Sequence, residues 1–150
     1  MDIYSTLIET FLSVQNKFNR FERSPKDFGS GELLYPLEIH IIDVIGKNNE
    51  IKMTDLAEKM EITKGAVSQV IKKLVRKGYV IKFKEEGNSK NFYLKLRNKG
   101  EIVFREHKLV ADKIIGKIND IIRKIPEKEI IILDEGFKMV EGELSKLLKP

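Results

Sequence analysis

Cysteine is absent from this chain of 150 residues. Disulfides, thiolate zinc sites and cysteine-based redox sensing are therefore excluded. No apolar run approaches the roughly 20 residues that a membrane-spanning helix needs, and the first residues lack the basic and then apolar signature of a signal peptide. We therefore expect a cytoplasmic protein that makes no contact with a membrane.

Features typical of catalytic and metal sites are also scarce. The chain has no glycine-rich phosphate loop, and His40 and His107 lie on separate predicted helices without the i, i+4 spacing of a helical metal pair. We predict that the protein is not an enzyme and has no cofactor and no metal ligand, and we interpret both histidines as ordinary surface or interface residues. A metal site built from Glu38, His40 and His107 across a dimer remains an alternative.

The most informative segment is 63–80, in which apolar and basic residues fall on opposite faces of one short helix. Thr63 is suited to cap its first turn, and Gly78 is suited to the left-handed turn that ends it. Apolar side chains recur on one face at three- and four-residue spacing, and they are Val67, Val70, Ile71, Leu74 and Val75. We interpret this segment as a DNA recognition helix.

Positive charge is concentrated in the same central block. Between Lys64 and Arg105 there are twelve basic residues and three acidic ones, a net charge of +9, whereas the whole chain carries only +5 and the remaining residues therefore sum to −4. Basic clustering attracts a polyanion through counterion release. A merely soluble basic surface would also fit the charge, but the position on a bounded helix favours nucleic-acid binding.

Two more helices are predicted before the recognition helix. One spans about 36–45, and the other begins after Thr54, its expected N-cap, and ends near Met60. A short strand at 51–53 separates them. Helix, short turn and helix is the arrangement that places a second helix in the major groove of DNA.

A hairpin is predicted after the recognition helix. The segments 79–84 and 91–96 alternate and are rich in strand formers. Asn98 and Glu101 then resemble a capping box that opens a long helix to Ile125. We interpret the hairpin as the wing of a winged helix-turn-helix, although a purely structural hairpin remains possible. Its lysines are placed for phosphate contact, and they are Lys82, Lys84, Lys90 and Lys95.

The two ends of the chain carry narrow apolar seams. One seam lies at 4–21, and two more lie at 114–125 and 130–147, on either side of Pro126. Such seams need a partner, and we expect that partner to be a second copy, with packing inside one chain as the alternative.

These elements predict a mainly α fold with a small β-hairpin wing (α+β). A winged helix-turn-helix DNA-binding domain at 36–100 is flanked by a helical dimerisation region formed by 1–23 and 102–150. Residues 1–150 together make up a single chain of this architecture.

The segments Thr54–Met60, Thr63–Gln69 and Lys77–Val80 are similar to the helix-turn-helix and first wing strand of the MarR (multiple antibiotic resistance regulator) family of transcription regulators. The resemblance covers nearly the whole chain. It implies a homodimeric repressor that binds each half of a pseudo-palindromic double-stranded DNA operator and is released by a small ligand. The Asp-x-Arg of the family's wing tip is here Asn88-Ser89-Lys90, and lysine lacks the planar fork of arginine.

The predicted DNA-binding residues lie on the recognition helix and the wing. Ser68 and Gln69 are short polar side chains suited to base edges, whereas the cations beyond them are suited to phosphates. The full set is Thr63, Lys64, Gly65, Ser68, Gln69, Lys72, Lys73, Arg76, Lys84, Asn88, Ser89 and Lys90.

The resemblance also implies a ligand cleft between the helical dimer region and the winged domain. Its aromatic and basic lining suits a small aromatic or apolar anion, and the candidate residues are Phe18, Arg20, Tyr35, Phe104 and His107. The same aromatics could instead simply fill a domain junction. A winged-helix module for protein or RNA contact, without operator specificity, is the alternative function.

Overall fold

The computed structural model describes residues 2–84, 87 and 91–148. In chain order the elements are α1 (Ile3–Arg23), α2 (Pro36–Asn48), β1 (Glu50–Lys52), α3 (Met53–Met60), α4 (Lys64–Arg76), β2 (Val80–Lys84), β3 (Phe92–Leu96), α5 (Asn98–Ile122) and α6 (Glu127–Leu147). They form two compact units, one that extends to Lys108 and one that begins at Leu109. The mainly α fold with a small antiparallel sheet and a winged helix-turn-helix confirms the predicted class.

The predicted recognition helix is α4, and both of its predicted ends are confirmed. The Thr63 side chain accepts a hydrogen bond of 3.2 Å from the Ala66 backbone N–H, which satisfies one of the free donors of the first turn. At the other end Gly78 adopts a φ of +80°, a conformation that costs a residue with a Cβ more than it costs glycine. Thr63 and Gly78 therefore mark the two ends of α4, as expected.

Other boundaries differ from the sequence-based expectations. Lys52, not Thr54, occupies the N-cap of α3, and the Thr54 hydroxyl lies 3.1 Å from the Asp55 carboxylate, to which it donates. Helix α2 continues to Asn48 instead of ending near residue 45. Helix α5 already includes Asn98 and ends at Ile122, because the backbone forms a turn ahead of Pro126.

The sheet joins the hairpin to the chain before α3. Its strand order is β1-β3-β2, and both pairs are antiparallel, with Ile51 opposite Leu94 and Lys84 opposite Phe92. Leu94 and Leu96 are buried, whereas Lys95 between them is exposed, so the pleat turns one face of β3 to the core. The predicted strands are confirmed, and β1 makes the wing three-stranded.

The core of the first unit is formed by α2, α3, α4, the sheet and the start of α5. On α4 the side chains of Val67, Ile71 and Leu74 are buried, but Val75 is 38% exposed, contrary to its predicted place in the apolar face. The side chains with no accessible surface are Leu34, Ile41, Ile42, Ile45, Leu56, Val67, Leu74, Tyr79, Val80, Leu94 and Val103.

The predicted terminal seams are helical and largely exposed in the single chain. Leu7 on α1 is 57% exposed, Ile121 on α5 is 63% exposed and Leu144 on α6 is 50% exposed. Among the described residues, no helix combines the length and the apolar character that crossing a bilayer requires. The assignment of 1–23 and 102–150 to dimerisation stays a prediction.

Gly100 and Gly116 provide a matched pair of substitutions within α5. A Cβ at Gly100 would lie 2.3 Å from the Tyr79 carbonyl oxygen, whereas a Cβ at Gly116 has no neighbour within 4 Å in the described part of the chain. We expect Gly100→Ala to lower the free energy of unfolding by about 2 kcal/mol because the backbone must shift. Gly116→Ala should raise it by about 0.5–1 kcal/mol through helix propensity. Urea unfolding measures both, and effects of the same sign would contradict this account.

Candidate nucleic-acid interface

Helix α4 buries one face and leaves the other accessible. Val67, Ile71 and Leu74 point into the core, whereas Gln69 and Lys72 are exposed. Because a helix is rigid, the burial of the apolar face fixes the direction of the polar face. The polar face of α4 is therefore the surface from which an interface can be built.

Two clefts flank the polar face of α4. The first has a volume of about 290 Å³ and is lined by Lys52, Met53, Thr54, Lys64, Ser68, Asn91 and Phe92. The second has a volume of about 240 Å³ and is lined by Met53, Ser68, Ile71, Lys72, Val75, Arg76 and Lys82. No acidic side chain lines either cleft within the described residues, so both favour an anionic ligand.

Most of the predicted α4 residues lie at these clefts. Lys64 and Ser68 line the first, and Lys72 and Arg76 line the second, while Gln69 is exposed on the same helix. The residues that precede or open the helix, Thr63 and Gly65, are exposed at its N-terminus, and Lys84 is exposed at the end of β2. The predicted wing-tip contacts Asn88, Ser89 and Lys90 lie outside the described residues.

Several residues at the clefts were not among the predicted DNA-binding set. Lys52 and Thr54 lie at the start of α3, and Asn91 and Phe92 lie at the start of β3. They come together because β1 pairs with β3, which places Lys52 opposite Tyr93. The start of α3 could have been recognised as a phosphate site, because the free backbone N–H groups at a helix N-terminus attract phosphate. The pairing of β1 with β3, which brings α3 beside the wing, has no local sequence signal.

Lys73 differs from the other cations of α4. Its Nζ lies 2.9 Å from Glu38 Oε1 and 5.3 Å from the centre of the Tyr35 ring. The Glu38 side chain is only 3% exposed, and its other oxygen accepts a hydrogen bond of 2.8 Å from the Tyr35 backbone N–H. This geometry favours a role for Lys73 in holding α4 against α2 over the predicted phosphate contact, because a buried carboxylate without its cation is unfavourable.

A second ionic cluster lies at the C-terminal end of α4. Glu32 Oε2 lies 3.5 Å from Lys77 Nζ, and Glu32 Oε1 lies 2.7 Å from Lys99 Nζ. The hydrogen bond from Lys99 lowers the pKa of the Glu32 carboxyl below its ordinary value. The Tyr79 hydroxyl also donates to Ser30 at 2.9 Å. The segment between α1 and α2 is thereby attached to the end of α4 and the start of α5.

The predicted ligand residues occupy two different environments. Phe104 packs on Gly46, where a Cβ would approach its ring to 2.6 Å, and the rings of His107 and Phe28 form a T-shaped pair with 5.4 Å between their centroids. These contacts favour the alternative in which Phe104 and His107 fill a junction. Phe18, Arg20 and Tyr35 are exposed, and a ligand site at these three stays a prediction.

The two histidines pair with different carboxylates. His40 Nε2 lies 3.1 Å from Glu22 Oε2, and His107 Nδ1 lies 3.5 Å from Asp43 Oδ1. Burial raises the pKa of the Asp43 carboxyl, but hydrogen bonding to His107 and Lys47 outweighs burial and holds that pKa below its ordinary value. Among the described residues, no group of three or more potential ligands could hold a metal ion.

The described geometry defines a class of protein. A helix-turn-helix with a polar, basic second helix lies beside a lysine-rich antiparallel hairpin. This is the arrangement of winged helix-turn-helix proteins that bind nucleic acid.

Comparison with known proteins agrees with this class. The family model described as MarR family matches residues 34–92. The uncharacterized HTH-type transcriptional regulator YhjH of Bacillus subtilis is 29% identical over 132 residues, which span 88% of this chain and 73% of the relative. FabT of Streptococcus pneumoniae, solved in complex with DNA, is 26% identical with a TM-score of 0.74, and the match covers 96% of this chain and 99% of FabT.

A third protein supports the fold alone. ZitR of Lactococcus lactis, solved as the wild type in complex with DNA, is 18% identical with a TM-score of 0.78, and the match covers 96% of this chain and 99% of ZitR. The chain is similar to the MarR family over residues 34–92, and its relative YhjH is an HTH-type transcriptional regulator. This similarity supports the predicted DNA-binding regulator and gives no support to an enzyme.

Removal of the Glu38 carboxylate tests how α4 is attached to α2. We expect Glu38→Ala to lower the free energy of unfolding by about 2 kcal/mol, because a hydrogen bond to a charged group is lost and Lys73 loses its buried partner. Urea unfolding measures this loss. Glu143→Ala, which removes an exposed carboxylate 2.6 Å from Lys146, is the control and should have no measurable effect. Equal stability of the two variants would exclude a structural role for Glu38.

Proposed function

We propose that the protein is a sequence-specific repressor that binds a pseudo-palindromic operator as a homodimer. Each copy would place α4 in the major groove of one half-site and its wing against the neighbouring backbone. The observation that carries this proposal is the pair of clefts on the polar face of α4, which no acidic side chain of the described residues lines.

Within the proposed complex the residues of α4 divide into two roles. Ser68 and Gln69 carry short groups that donate and accept hydrogen bonds, as base edges in the major groove require. Lys64, Lys72 and Arg76 are cations at the clefts and are suited to phosphates, which position the protein without distinguishing sequences. Sequence preference would therefore depend on Ser68 and Gln69.

The homodimer is supported by the exposed seams of the terminal helices. Tyr4 and Leu7 on α1 are 77% and 57% exposed, and Val140 and Leu144 on α6 are 47% and 50% exposed. Large apolar side chains repeated along a helix mark an interface when they are exposed, because their contact with water is unfavourable. Release of the operator by a small aromatic or apolar anion stays a prediction, for which Phe18, Arg20 and Tyr35 are the accessible candidates.

Two substitutions on α4 test the proposed roles. We expect Gln69→Ala to weaken binding to the preferred duplex by about 1–3 kcal/mol with little effect on random duplex. Lys72→Ala should weaken both duplexes similarly and lower the salt slope by about 1. The measurement is a titration of selected duplex, random duplex and RNA over a range of salt. A wild-type protein that binds RNA as tightly as its selected duplex would favour the alternative module.

A charge placed in the α1 seam tests the homodimer. We expect Leu7→Asp to convert the dimer to monomer, because burial of an unpaired carboxylate in an apolar interface is strongly unfavourable. Sedimentation velocity reports the state directly. Lys17→Asp introduces the same residue at another exposed position of α1 and should leave the dimer intact. A dimer that survives Leu7→Asp would show that α1 is not the interface.

A further inference from the structure

Phe92 is an aromatic residue within a basic surface. Its side chain is 36% exposed, and two ammonium groups of β2 lie over its ring, with Lys82 Nζ 3.8 Å and Lys84 Nζ 4.8 Å from the ring centre. The strand register explains this arrangement, since Lys84 lies directly opposite Phe92 and Lys82 lies two residues away on the same face of β2. One ring therefore contacts both cations.

This cluster adjoins the polar face of α4. Phe92 lines the first cleft together with Lys64 and Ser68, and Lys82 lines the second cleft together with Lys72 and other α4 residues. Both cations over the ring are exposed. A duplex bound to the polar face of α4 would thus bring its phosphates to the same surface.

A lysine held over an aromatic ring is better prepared to bind a phosphate than a free one. Lysine has a long flexible stem, and ordering that stem opposes binding. The negative face of the ring attracts the ammonium electrostatically, and the N–H groups that point away from the ring remain available. An aliphatic side chain of similar size would fill the space without this attraction.

We propose that Phe92 is a positioning residue for DNA binding, whose ring orders Lys82 and Lys84 for contact with phosphates. The inference rests on the DNA-binding function and does not require operator specificity.

The hairpin itself does not depend on Phe92. On the other face of the sheet, Phe83 and Tyr93 lie opposite each other and stack with 5.9 Å between their centroids. Leu94 and Leu96 anchor β3 in the core. A conservative change at Phe92 should therefore leave the fold intact.

The test compares Phe92→Leu with Phe92→Tyr in the full chain. We expect Phe92→Leu to weaken binding to both selected and random duplex about fivefold, the size of a pair of exposed cation–π contacts. The salt slope should not change, because both lysines remain. Phe92→Tyr keeps the ring face and should bind like the wild type. The melting temperature of each variant serves as the control for folding.

A background that lacks both cations decides the mechanism. In Lys82→Met/Lys84→Met, the further change Phe92→Leu should have no effect on binding, because the ring has nothing left to orient. An equal loss in this background would overturn the proposal, as would a loss confined to the selected duplex or one accompanied by a lower melting temperature. A wild type that shows no operator preference would contradict the proposed sequence specificity. The role of Phe92 would still be tested in that case, because binding to random duplex is also measured.

Discussion

The burial of one face of α4 is the constraint on which the rest of the structure depends. Val67, Ile71 and Leu74 lock the rotation of the helix about its own axis, and a helix of fixed rotation has no freedom in where its remaining side chains point. Lys64 and Lys72 therefore reach the clefts, while Lys73, one position further along, falls on the flank beside Glu38. Adjacent lysines thus have different surroundings, because successive residues of a helix are rotated by about 100°.

The three-stranded sheet forms the side of the candidate interface that lies opposite the residues of α4. Pairing of β1 with β3 fastens the start of α3 to the base of the wing, so Lys52 and Asn91 line one cleft although they lie far apart in the chain. The hairpin contributes Phe92 to that cleft and Lys82 to the other. The interface is therefore a property of the assembled unit and not of the helix-turn-helix alone.

Local patterns accounted for much of the fold. The limits of α4, the two hairpin strands and the helical seams follow from periodicity and from cap residues such as Thr63, which act over a few residues. The features that the sequence patterns did not indicate have tertiary causes. Val75 has the correct spacing for the core but lies where a cleft opens, and Lys73 looks like any surface lysine until α2 places Glu38 beside it. No local signal distinguishes such residues, because their partners are remote in sequence.

The carboxylates of Glu32, Glu38 and Glu50 lie against lysines of the basic block, at Lys99, Lys73 and Lys95 respectively. A lysine that pairs with a carboxylate of the protein displaces fewer counterions from a duplex, so the effective charge toward DNA is smaller than the nominal +9 of the block. A regulator must find a few sites among the millions of random ones in a genome, and excess affinity for random sequence would sequester it there. Each such pair therefore lowers the number of counterions that binding to random DNA could release.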